Sequence, residues 1–237
     1  EIASCLVGSE MCIRDRCTVG GADRSIIQKA NYLADEMHQD VFIITDSQKE
    51  RPPVFPISPR IRHIDIGIDF DRQYHHNLLV RGYYYFTLMH LYRKKLEYWL
   101  KTLKPDIVIS TLGRELDFLT QLDDGSVKIG ESHIAKPYTR NLHLMEQRGF
   151  PYKQIAWHWR KKQEEAVKKL DALVVLTQHD ADNWKEVKKA CVIPNFLPFS
   201  PEKGSSCLEK RIISIGRYSE QKGYDRLIEA WIKVNRK

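Results

Sequence analysis

The chain has 237 residues, of which 42% are hydrophobic and 29% are charged, a balance typical of a globular protein. No apolar run approaches the roughly 18 residues that a bilayer-spanning helix needs, and no secretory signal pattern is visible. The net charge of +7 indicates an anionic partner, without choosing among nucleic acid, anionic lipid and a nucleotide diphosphate. Because no zinc-finger spacing or aromatic RNA-binding run is present, we expect no nucleic-acid partner.

The cysteines predict neither a metal site nor a disulfide framework. Cys5, Cys12 and Cys17 are crowded at one end in no spacing typical of metal ligands. We interpret Cys191 and Cys207 as reduced thiols, which favours a cytoplasmic location. No metal cofactor is expected.

After residue 17, short apolar segments alternate with amphipathic ones. The alternation predicts short apolar strands separated by helices, and hence a parallel sheet with helices on both faces, a Rossmann-like α/β fold. In chain order, we predict helices over 22–37, 78–103, 115–122, 153–170 and 180–189, and strands over 41–45, 61–66, 107–109, 127–130, 172–176 and 191–193.

A glycine pair, Gly20 and Gly21, opens the first predicted helix. Bare N–H groups and the positive end of the helix dipole favour an anion at such a position. The alternative is an ordinary tight turn without a ligand.

The segment 211–231 carries the most specific pattern. It predicts a strand over Ile212–Ile215, a turn opened by Gly216 and a helix over 223–234. Arg217 and Lys222 would then leave the carboxyl end of the strand, where open α/β sheets bind ligands. A guanidinium pairs with two phosphate oxygens and an ammonium acts as a point charge, so the segment predicts half of a diphosphate-binding site. The alternative is a surface arginine and lysine after a buried strand.

The order of these residues resembles the retaining glycosyltransferases of family 4, whose GT-B fold has two facing Rossmann-like domains. The match consists of Gly-Arg, four residues, Lys-Gly and a Leu-Ile helix that ends in Ala-Trp. Further matches follow the family's order, namely residues 20–34, 104–110, 129–133, 175–180 and 192–197. The resemblance implies a nucleotide-sugar donor whose diphosphate is bound, without a metal, by Gly20, Gly21, Gly216, Arg217 and Lys222. It also implies that His133 lies in the cleft beside the transferred sugar, as the catalytic residue. The alternative is a solvent-facing loop histidine.

The resemblance also sets the expected domain organisation. Residues 17–198 match the acceptor-side Rossmann-like domain, and residues 199–237 match a linker and the first strand and helix of a nucleotide-sugar-binding domain. Residues 1–16 do not fit, because charges stand where the family has its apolar first strand; they resemble a translated sequencing adapter. We expect them to be non-native; the alternative is a genuine, divergent N-terminus. We also expect the polypeptide to be inactive alone, since the family's spaced glutamate pair is absent.

The implied function is transfer of a hexosyl group, with retention, from a nucleotide-diphosphate sugar to a glycan or lipid-linked acceptor in bacterial surface polysaccharide biosynthesis. A GT-B sugar epimerase or phosphorylase is one alternative. An epimerase would need no acceptor, and a phosphorylase would need inorganic phosphate. A non-catalytic module that binds anionic lipid or polysaccharide is the alternative from another class.

One long predicted helix combines aromatic and basic residues. Tyr83–Phe86 and Arg93–Lys95 share it with Trp99 and Lys101, and Trp159–Lys162 adds a similar run later in the chain. A basic, aromatic helix binds anionic bilayers, so we expect peripheral contact with the inner face of a membrane. The alternative is a packed face opposite a solvated one.

Overall fold

The computed structural model describes residues 9–13, 20–49, 51–75, 78–185, 187–197, 199, 202, 204, 206, 208, 212–216 and 222–235. The chain divides into two compact units, Glu1–Pro198 and Phe199–Lys237. None of the described helices is both long and apolar enough to cross a membrane.

The described part of the first unit is organised around one sheet of seven strands, in the order β3-β2-β1-β4-β5-β6-β7. Every neighbouring pair is parallel. This confirms the predicted Rossmann-like class. The strands are β1 (Ser9–Ile13), β2 (Val41–Thr45), β3 (Arg62–Asp65), β4 (Ile107–Ser110), β5 (Val127–Ser132), β6 (Ala172–Val175) and β7 (Ala190–Val192).

Helices lie between most consecutive strands, as the apolar periodicity predicts, whereas the described residues between β2 and β3 contain none. In the described residues they are α1 (Gly21–Asp35), α2 (Leu78–Leu103), α3 (Leu116–Leu119), α4 (Leu142–Glu146), α5 (Tyr152–Val167), α6 (Gln178–Asn183) and α7 (Tyr224–Asn235), with 3-10 helices at Phe70–His75 and Lys136–Asn141. The helix predicted over 180–189 is shorter and begins earlier. Its start is fixed by Thr177, whose hydroxyl accepts a hydrogen bond from the Asp180 N–H at 3.2 Å.

Helices cover both faces of the sheet. Ile43 packs into a cluster with Ile26 and Ala30 of α1, whereas Ile44 packs into another with Leu96 and further α2 residues. Since successive strand residues point to opposite faces, α1 and α2 lie on opposite sides of β2. All five residues of β2 are therefore buried.

Strand β1 was not expected, because the sequence interpretation left no sheet strand in residues 1–16. In the structure, Ser9 aligns with Val41 of β2 on one side and with Ile107 of β4 on the other. The backbone of this segment thus supplies the hydrogen bonds that β2 and β4 need on their facing sides. The non-native origin of residues 1–16 stays a prediction.

The strand predicted over Ile212–Ile215 is not formed. Residues 212–216 lie outside any ladder, and Ile215 is 94% exposed. A strand needs a neighbour for its backbone groups, and none of the second unit's described residues forms one. The helix predicted over 223–234 is present as α7.

Candidate functional site

The parallel sheet brings the loops after its strands to one side. We call this side, with the turns that follow β4 and β5 and the start of α1, the carboxyl edge. It contains Gly20 and Gly21 at the start of α1, the turn 111–115 and His133. Ligands of open α/β sheets bind at such edges, so these residues form the candidate site of the first unit.

Gly20 and Gly21 lie where the sequence predicts them, at the N-terminus of α1. Gly20 is the N-cap residue, with an extended backbone, and as a glycine it has no side chain that could cap the helix. A Cβ on Gly20 would lie 2.5 Å from Oδ2 of Asp23, so the glycine admits this carboxylate close to the backbone. A carboxylate in the first turn is stabilised by the helix dipole. A phosphate bound here would therefore have to displace the Asp23 side chain.

His133 is buried just beyond β5. Its side chain is 5% exposed, and its Nε2 lies 3.4 Å from Oε1 of Glu131, beyond ordinary hydrogen-bond distance. Neither ring nitrogen has a hydrogen-bond partner among the residues that the structure describes. Buried polar atoms without partners are uncommon in proteins, so the unused hydrogen-bonding capacity of this imidazole distinguishes it from its neighbours at the carboxyl edge.

Glu131 links His133 to the first helix. Its Oε2 forms an ion pair with Nζ of Lys29 on α1, and its Oε1 faces His133. Burial acts to raise the pKa of Glu131, but the contacts with His133 and Lys29 outweigh burial and lower the pKa to about 2. Glu131 is therefore a carboxylate at neutral pH, although its side chain is largely shielded from water.

Glu115 lies in the turn after β4, and its partners differ from those of Glu131. Its Oε1 accepts hydrogen bonds from the Ser110 hydroxyl at 2.6 Å and the Gly113 N–H at 3.0 Å. Complete burial raises the pKa of Glu115, because these hydrogen bonds and the more distant Arg140 do not fully offset the loss of water. Leu112, in the same turn, has a left-handed backbone with a φ of 59°.

Asp117 anchors a charged cluster between α2, α3 and α5. Its carboxylate contacts Nη1 of Arg140 at 2.8 Å, Nζ of Lys162 at 3.3 Å and the Tyr85 hydroxyl at 3.5 Å. Burial and the adjacent negative charge of Asp117 raise the pKa of Tyr85 to about 12. The two ion pairs connect the 3-10 helix Lys136–Asn141 and α5 to α3.

The remaining predicted residues belong to the second unit. A Cβ on Gly216 would lie 2.9 Å from the Tyr224 hydroxyl, so this glycine lets the first residue of α7 approach the backbone. Lys222 is exposed and precedes Gly223, whose φ of +63° favours glycine. Arg217 lies outside the described residues. The diphosphate site made of these residues with Gly20 and Gly21 stays a prediction.

Sequence reasoning missed Glu131, Lys29, Glu115 and the Asp117 cluster as site residues. Glu131 and His133 are two positions apart along a strand direction, a spacing that places side chains on one face and could have paired them. Lys29 carries no such signal, since it lies 102 positions from Glu131. Among the described residues, no group of three or more histidine, cysteine, aspartate and glutamate side chains could hold a metal.

Comparisons with known proteins identify the fold. No family model and no curated protein matches the chain. Sucrose-phosphate synthase from Thermosynechococcus elongatus matches with a TM-score of 0.54 and 11% identity, over 79% of this chain and 48% of that one. TcCGT1, solved in complex with UDP, matches with a TM-score of 0.52 and 13% identity, over 84% of this chain and 54% of that one. The chain thus spans about half the length of each, and it has a Rossmann-like fold of the kind found in GT-B glycosyltransferases.

The raised pKa of Glu115 makes stability depend on pH. The folded protein holds this proton more tightly than the unfolded chain does. The free energy of unfolding therefore falls as pH rises from the ordinary value of 4.5 through the raised pKa. Glu115→Gln keeps an acceptor for Ser110 and Gly113 and cannot ionise, so its stability relative to the wild type should increase with pH.

Urea unfolding at about pH 5 and about pH 8 measures this difference. Glu165→Gln is the matched control, because Glu165 is exposed and its ion pair with Lys168 contributes little. A Glu115→Gln variant that loses stability relative to the wild type as pH rises would contradict the assignment.

Proposed function

We propose that the chain is part of a retaining glycosyltransferase of family 4 that transfers a hexosyl group from a nucleotide-diphosphate sugar. One observation carries the proposal: a buried histidine with two unpartnered ring nitrogens lies at the carboxyl edge of a Rossmann-like sheet. The GT-B structural neighbours and the motif around Arg217 and Lys222 support the same reading. Retention rests on the family resemblance.

The chemistry requires stabilisation of the negative charge that develops on the leaving nucleotide diphosphate. In the proposal, Arg217 and Lys222 supply cations and the N–H groups at Gly20 and Gly21 approach the same phosphates, so no metal is needed. His133 would contact a hydroxyl of the transferred sugar. Each charge-assisted hydrogen bond contributes about 1.5–3 kcal/mol, enough to change affinity by roughly tenfold or more.

The acceptor in this proposal is a glycan or a lipid-linked sugar, within bacterial surface polysaccharide assembly. A lipid-linked acceptor suits a protein on the inner face of the membrane, so peripheral contact belongs to the proposal. The proposed contact surface lies on the later of the two segments that the sequence suggests. On α2, Arg93 donates to Oε1 of Gln121 at 3.1 Å and Lys95 donates to the Ile66 carbonyl at 2.7 Å, so both cations are used within the domain.

Helix α5 offers a better surface. Lys153, Trp157 and Lys161 recur every four residues and therefore share one face of the helix. Trp157 is 58% exposed, with Nζ of Lys161 4.5 Å from its ring centroid, and the exposed Phe150 precedes the helix. Exposed aromatic rings interleaved with cations suit the headgroup region of an anionic bilayer. We call these four residues the α5 face.

The donor site can be tested by calorimetric titration of the chain with UDP. Lys222→Ala should weaken UDP binding by about tenfold, because a phosphate contact is lost. Arg217→Ala should weaken it by at least as much, since arginine contacts two oxygens. Lys233→Ala removes a cation from the last turn of α7 and should leave the affinity unchanged. Equal effects of Lys222→Ala and Lys233→Ala would rule out a specific donor contact.

Vesicle co-sedimentation tests the membrane contact. Lys161→Glu should reduce binding to phosphatidylglycerol vesicles by roughly thirtyfold, because the substitution changes the charge by two units and each interfacial charge contributes about 1 kcal/mol. Lys94→Glu makes the same charge change at an exposed position of α2 and should have little effect. If Lys94→Glu reduced vesicle binding more than Lys161→Glu does, the contact surface would lie on α2. If the wild type did not bind the vesicles at all, the proposed membrane contact would be wrong.

A further inference from the structure

We propose that Glu131 and Lys29 are positioning residues that fix the tautomer of His133, so that its Nδ1 accepts a hydrogen bond from a ligand hydroxyl. The identity of the ligand as a sugar rests on the proposed function. The tautomer itself follows from contacts within the first unit.

The two oxygens of Glu131 have different partners. Oε2 pairs with Nζ of Lys29, and Oε1 lies 3.4 Å from Nε2 of His133. An ammonium group only donates hydrogen bonds, and an ionised carboxylate only accepts them. The imidazole nitrogen facing this carboxylate is therefore stabilised when it carries the proton.

The position of the proton on one ring nitrogen determines whether the other nitrogen donates or accepts a hydrogen bond. A neutral imidazole has one N–H, so a proton on Nε2 leaves Nδ1 with an unshared pair that accepts. Nδ1 of His133 is buried and has no hydrogen-bond partner within the described ranges. A hydroxyl group can donate to this atom, whereas a phosphate oxygen cannot. In this proposal Nδ1 binds a hydroxyl-bearing group, and the phosphates are left to the cationic residues.

The contacts of Glu131 also have a structural role, because they join α1 to β5 across the sheet face. Residue Glu131 belongs to the face of β5 that α1 covers, since Ile109 of β4 aligns with Ile129 and packs into the α1 cluster. A purely structural role predicts lost stability upon substitution and no change in the proton position. A measurement of the His133 tautomer therefore distinguishes a structural role of Glu131 from a positioning role.

Glutamine at position 131 makes a sharp test, because its two polar atoms differ. In Glu131→Gln, the Lys29 ammonium should hold the amide oxygen, which turns the amide NH₂ toward Nε2 of His133. Nε2 then becomes the acceptor and the proton moves to Nδ1. In Lys29→Met/Glu131→Gln the amide is free to turn, its oxygen can face Nε2, and the original tautomer should return. Lys29→Met alone keeps the carboxylate and should keep the wild-type tautomer.

Nitrogen-15 NMR of the histidine rings reads the proton position directly in the full chain. Spectra are recorded at about pH 8.5, where an ordinary imidazole is neutral, and the His133 signals are assigned by their loss in His133→Asn. The wild type should show a pyrrole-type shift at Nε2 and a pyridine-type shift at Nδ1. Glu131→Gln should exchange the two, and the double variant should restore them.

A pyridine-type Nε2 in the wild type would overturn the inference, even if no variant folds. Unchanged ring shifts in a folded Glu131→Gln would overturn it as well, whatever the melting temperature does. The measurement needs no substrate, so its failure leaves the UDP titration of the proposed function intact. Failure of that titration likewise leaves the tautomer assignment standing.

Discussion

The parallel hydrogen-bond ladder, covered on both faces, is the constraint on which the rest of the first unit depends. Because all seven described strands run in one direction, their carboxyl ends meet at a single edge. The same register determines which side chains face α1. Glu131 lies on that face, and Lys29 reaches it from the helix. The candidate site is therefore a consequence of strand direction and register more than of any local motif.

Two buried glutamates at this edge show how partners decide protonation. Glu115 receives hydrogen bonds from a hydroxyl and a backbone N–H, and burial raises its pKa. Glu131 is also buried, but a lysine and a histidine hold its pKa at about 2. One group can keep a proton and tighten a turn, while the other carries a charge that orients its neighbours. Similar burial thus yields opposite electrostatic roles.

The sequence predicts the elements whose apolar spacing is long and regular. The helix over 78–103 is predicted with the bounds that α2 has, and its C-terminal half buries Tyr92, Leu96 and Leu100 at a spacing of four residues. Strand β1 is not predicted from the sequence, because its position depends on pairing with β2 and β4 on either side. The strand predicted over 212–215 does not form, because none of the described residues of the second unit pairs with it. His133 could be found from its motif, whereas Lys29 and the Asp117 cluster depend on contacts between distant segments that no local pattern encodes.

Chemical-shift mapping with UDP-glucose tests most directly the central claim that the carboxyl edge binds a nucleotide sugar. The account predicts that the backbone amide signals of Gly20, Gly21 and His133 shift on titration. The signals of Asp124 and Lys128, an ion pair at the amino end of β5, should stay in place. Shifts confined to the Asp124–Lys128 end, or no shifts at saturating UDP-glucose, would contradict it.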